Sequence, residues 1–95
     1  MSLSTLEKWY SGRCNGDWEH SFGVEISTLD NPGWSVEIDL HDTGKQKTTF
    51  ERIRIDRSPN NWIQYWAEKE KFQIRCGPPN LSEAIAIFAR WFDSL

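Results

Sequence analysis

The groups in this 95-residue chain that could do chemistry are two histidines, two cysteines, six tryptophans and fourteen carboxylates. His20 follows Asp17 and Glu19, and His41 sits between Asp39 and Asp42. An imidazole beside a carboxylate is the usual makings of a general base. No nucleophile elbow, phosphate loop or helical pair of metal ligands accompanies either histidine. In so acidic a chain a carboxylate lies near most positions, so the expectation is a protein without catalytic residues and without a cofactor. Cys14 and Cys76 make no CxxC or Cys/His spacing, which argues against structural zinc. The chain start lacks the basic residues and apolar stretch of a secretory signal, so both thiols are expected reduced in the cytoplasm. No apolar run approaches the ~18–20 residues of a membrane span. A pI near 5.3 argues against nucleic acid as ligand, because phosphate binding needs concentrated positive charge.

The net charge of −3 hides an asymmetry. Residues 1–42 carry eight acids against Lys8 and Arg13, a balance of −6; residues 43–95 carry nine bases against six acids, a balance of +3. Pairing apolar residues across the first hairpin puts Glu25 opposite Glu37 or Asp39, and like charges so placed repel. Two readings follow. Arg52 and Arg54 of the next strand neutralise the acids as a surface ladder, or Glu37, Asp39 and Asp42, with Asp17 and Glu19, await a basic partner protein. Trp9, Trp34 and Trp91 fall on periodic apolar faces and are expected in the core. Trp18 lies in a polar loop that no periodicity explains; it is either a partner anchor or a lid folded over a helix end. Trp62 and Trp66 share one strand face. Exposed tryptophans beside carboxylates would also suit a small carbohydrate- or ligand-binding module.

The elements that must position these groups form a single domain over residues 1–95. Ser4 with Glu7 makes a capping box for a first helix that carries Leu6, Trp9 and Tyr10 and stops at Gly12. Residues 13–21 read as a loop. Phe22, Val24 and Ile26 alternate with polar residues; after the Asp30-Asn31-Pro32-Gly33 turn, so do Trp34, Val36, Ile38 and Leu40. Asp42-Thr43-Gly44-Lys45 marks a second turn. A third strand spans about Thr48 to Asp56, where a bulge would bring Phe50 into phase with Ile53 and Ile55. Ser58-Pro59-Asn60-Asn61 is the next turn, and Trp62 to Ala67 and Lys71 to Cys76 are two more strands about a charged bend. Asn80, with Glu83 completing a capping box, opens a final helix whose stripe is Leu81, Ala84, Ile85, Phe88, Trp91, Phe92 and Leu95. The expected fold class is α+β: an antiparallel meander of about five strands with both terminal helices on one face.

Three runs carry a family resemblance: Leu6-Glu7-Lys8-Trp9-Tyr10, Cys14-Asn15-Gly16-Asp17-Trp18-Glu19-His20 and Thr28-Leu29-Asp30-Asn31-Pro32-Gly33-Trp34. With the Asn80-Leu81 opening of a helix that ends in Phe88 and Trp91, they resemble the immunity protein 53 family over nearly the whole chain. The resemblance implies a bacterial cytoplasmic antidote that binds the toxin domain of a polymorphic toxin system and blocks it without turnover. The acidic balance would suit a basic toxin such as a nuclease. The residues expected at that contact are Asp17, Trp18, Glu19, Glu37, Asp39 and Asp42.

Overall fold

The computed structural model describes residues 2–94. Three helices and five strands follow in the order α1 Ser2–Arg13, α2 Trp18–Ser21, β1 Val24–Leu29, β2 Gly33–Asp39, β3 Phe50–Ser58, β4 Asn61–Glu68, β5 Lys71–Cys76 and α3 Leu81–Asp93. The strands make one antiparallel sheet ordered β1-β2-β5-β4-β3. The expected α+β class holds, with both long helices on one face, but the connectivity is not a full meander. β1–β2 and β3–β4–β5 are each joined by tight turns, whereas residues 40–49 carry the chain across the sheet end to the far edge. β5 then closes the gap between the two units. The reason is burial: β5 supplies Phe72, Ile74 and Cys76, all fully buried, and such a strand needs neighbours on both sides.

Register follows the alternation. Val36 pairs with Ile74, Ile38 with Phe72 and Tyr65 with Ile74, so one sheet face is apolar throughout its centre. Onto it α3 lays Ala84, Ile85, Ile87 and Phe88, and α1 adds Leu6. Trp9 meets Phe88 and Phe92 edge-on at 5.1 and 5.4 Å. The expected bulge is present: the β3–β4 register shifts between Phe50 and Ile53, and Phe50 packs against Phe72 and Trp91. Gly33 has φ +156°, and a Cβ there would lie 2.4 Å from the Cys76 carbonyl oxygen, so β2 can start beside β5 only with glycine.

Three local expectations change. α1 begins at Ser2, so Ser4 lies inside the helix and is not its cap; docking of Leu6 and Trp9 on α3 holds the first turns. The helix runs one residue past Gly12, and the loop after it contains the short α2. Asn80 does stand at the start of α3, but its side chain makes no cap bond. Its Oδ1 accepts the Trp62 backbone N–H at 3.1 Å and its Nδ2 donates to Asn61 Oδ1 at 2.9 Å. Glu83 is likewise taken up by Arg57 through two bonds of 2.8 and 2.6 Å. Both groups thus fasten the β3–β4 turn to α3 instead of capping it. Leu95 of the expected α3 stripe lies outside the described residues.

Asn80 is 3% exposed, so its loss strands a buried donor. Asn80→Ala should cost about 1–3 kcal/mol. Thermal unfolding should show the midpoint falling by roughly 4–8 °C for each of those kcal/mol.

Candidate functional site

Opposite the helices, the sheet shows its polar face: Glu25 of β1, Glu37 and Asp39 of β2, Lys71, Gln73 and Arg75 of β5, Gln64 and Trp66 of β4. At the β1–β2 end this face meets α2. Glu19 and His20 from α2, with Glu25, Glu37, Asp39 and Lys71 from the strands, line a depression of about 420 Å³. Glu25 does stand directly across from Glu37.

The cations that relieve this repulsion are not the expected ones. β3 lies at the far edge, so Arg52 and Arg54 are remote from β2. Lys71 Nζ lies 3.4 Å from Glu37 and 4.0 Å from Asp39, and Arg75 lies 3.7 Å from Glu37. Asp39 also accepts the Gly23 N–H at 2.8 Å, which pins the start of β1. Among the described residues Glu25 has no cation within ion-pair distance. Glu19 accepts the N–H groups of Asn15 and Gly16 at 2.9 and 2.8 Å. Its own backbone N–H, then that of Asn15, hold its carboxyl below the usual carboxylate range.

Trp18 is 5% exposed and is corrected from anchor to brace. Its indole N–H donates to the His41 carbonyl at 2.7 Å, and its ring packs among Trp9, Tyr10 and Phe22. A buried ring offers a partner no surface; the apolar environment of α1 draws it inward despite its polar sequence neighbours. His41 stacks on Phe22 at 4.2 Å, with Nδ1 3.2 Å from Glu70 and Nε2 3.6 Å from Asp42. It clasps the crossing segment to the β4–β5 turn. Asp42, with φ +59°, is exposed on that clasp and does not line the depression. Asp17 is exposed at the entry to α2 and is also outside the lining.

Trp66 and Trp34 are also engaged. Trp66 is 9% exposed because guanidinium groups cover it. Arg52 Cζ is 3.9 Å and Arg75 Cζ 5.3 Å from its ring centre, and its N–H donates to Glu68 at 2.9 Å. Trp62 is half-buried and Trp34 bonds the Pro78 carbonyl at 3.0 Å. Two of the tryptophans that a sugar-binding cleft would use, Trp18 and Trp66, are thus enclosed. Burial raises the Cys76 thiol to about 11, while Cys14 is exposed; neither is bridged. Among the described residues no cluster of His, Cys, Asp or Glu is placed to hold a metal ion, and no helix is long and apolar enough to cross a membrane.

With this geometry in place, comparison with protein families finds immunity protein 53, matched over residues 3–93. The chain belongs to the immunity protein 53 family. Comparison with curated proteins and with solved structures gives no match. Membership makes this a toxin-immunity protein and gives its partner as a cognate toxin protein. The family match covers α2 and the depression but assigns no contact residue. His20, Glu25, Lys71 and Arg75 complete the polar surface and were absent from the expected set. For Glu25, Lys71 and Arg75 the signal is alternation on β1 and β5, which becomes spatial only when β5 is placed beside β2; His20 comes with the short α2.

The lowered Glu19 carboxyl has a sign. Its contribution to stability is complete above the unfolded value, near 4.5, and is lost as pH falls through the lower folded value. Glu19→Gln should therefore lower the thermal midpoint at neutral pH and differ less from the parent near about pH 3. Melting curves across that range check it.

Proposed function

We propose that this immunity protein neutralises its toxin in the bacterial cytoplasm by direct binding and occlusion, and that the surface it covers is basic. The observation that supports this reading is convergence: Glu19, Glu25, Glu37 and Asp39 line one depression whose lysine, Lys71, is already shared by two of them. Asp17 and Asp42 extend the same sign of charge along the flanks. Such a field steers a basic partner into register and raises the association rate more than it deepens the final affinity. A nuclease fits, because a site that binds phosphates is already positive. Exposed ion pairs contribute only ~0–1 kcal/mol each, so the complex also needs apolar area.

Occlusion uses no general base. Co-expression with the toxin encoded beside the gene should show rescue retained in His20→Ala and His41→Ala. Rescue should fail in the double variant Glu25→Lys, Glu37→Lys, with toxin association slowed by roughly 10–100-fold at low salt. Rescue indifferent to that reversal would move the contact elsewhere on the molecule.

A further inference from the structure

β1 is an edge strand, and its outer edge is bare. The Asp39 N–H donates to the Gly23 carbonyl at 3.0 Å, which sets the phase of the β1–β2 ladder. Alternation then turns the N–H and C=O groups of Val24, Ile26 and Thr28 away from the sheet. Folded proteins blunt such edges with bulges, charged side chains, lysine above all, proline or cover. The opposite edge does so: β3 has two register irregularities and carries Arg52, Arg54 and Arg57. β1 has of these only the single charge of Glu25. Its pairing with β2 is unbroken from Val24 to Leu29, it contains no lysine, arginine or proline, and residues 25–28 are exposed.

The two sides of this edge differ in chemistry. The polar side is the acidic depression. On the helix side, Leu6, Tyr10, Phe22 and Val24, together with Glu7, line a mostly apolar groove of about 430 Å³, and next to it Ile26 is 39% exposed. Phe22, Gly23 and Val24 line both hollows, so the surface wraps continuously around the strand edge. A segment that extends the sheet here meets Glu25, Ser27 and Leu29 with every second side chain and Val24, Ile26 and Thr28 with the others.

We propose that β1 is the docking strand: an extended segment of the toxin, with a Lys or Arg opposite Glu25 and apolar residues on its other face, adds to the sheet along Val24–Leu29. This rests on the reading that the protein binds its toxin directly, and it adds which edge and which sequence pattern are used. Main-chain bonds to Val24, Ile26 and Thr28 hold the segment, its cation faces Glu25, which has no cation of its own among the described residues, and its apolar residues cover Ile26 and the groove at Tyr10. A second copy of this chain is the poorer occupant, because pairing β1 with itself brings two acidic faces together.

The experiment is amide hydrogen exchange on the protein alone and with the toxin domain encoded beside its gene, together with toxin titration of Thr28→Pro. Proline at an outward-facing amide leaves the β2 ladder intact and removes one donor to an added strand. The amides of Val24, Ile26 and Thr28 should exchange quickly in the free protein and be protected in the complex. Thr28→Pro should bind at least about 10-fold more weakly. The exchange measurement on the unmodified protein decides even where the proline variant unfolds. A complex in which those three amides exchange as in the free protein would overturn the docking strand and leave direct binding intact. Absence of any complex would overturn both. Protection that appears on concentrating the protein alone would make a second copy the occupant and sink the toxin assignment.

Discussion

Two helices cover one face of a five-strand sheet, and they cover it unevenly. Burial is complete at the centre and falls off toward the edges. Val36, Ile38, Ile63, Phe72 and Ile74 are fully enclosed, whereas Ile26 on one edge strand and Ile53 on the other are 39% and 42% exposed. At the centre, Phe72 touches Tyr65, Phe88 and Trp91 with ring centres 4.8–5.9 Å apart, so β4, β5 and α3 meet in one aromatic contact. Trp9 joins α1 to it through Phe88. The stability of the domain is concentrated there, and the periphery is left available for other uses.

Much of this was legible in local pattern. Period-2 alternation located β1, β2, β4 and β5, the Phe50 phase slip announced the bulge, and the Leu81-to-Phe92 stripe announced α3. Strand order was not legible, because adjacency of β2 and β5 depends on joint burial of residues far apart in sequence, Ile38 with Phe72 and Val36 with Ile74. Caps were misjudged for a related reason. Asn80 and Glu83 have the side chains of a capping box, but tertiary partners at Trp62, Asn61 and Arg57 outcompete the local bonds. The β4–β5 turn shows the same override: Lys69 and Glu70 adopt φ +54° and +63° without glycine or asparagine.

The candidate surface was half legible. Of the eight acids of residues 1–42 four gather, and three of the six expected contact residues, Glu19, Glu37 and Asp39, line a common depression with Glu25. Sequence could not show that Lys71 and Arg75 would be threaded beside them by β5, nor that Trp18 would turn inward to the His41 carbonyl. Charge segregated along the chain was thus only partly segregated in space. What remains concentrated is the acidity nearest α2 and β1, where no basic strand intervenes.

The placement of β5 governs the order in which the fold can be made. The β1–β2 hairpin leaves the ribosome with the apolar sides of Val36 and Ile38 uncovered, and their strand partner follows only after the whole of β3 and β4. α1 likewise waits for α3. Native structure therefore closes late and through contacts distant in sequence, which slows folding and lengthens exposure to misassembly.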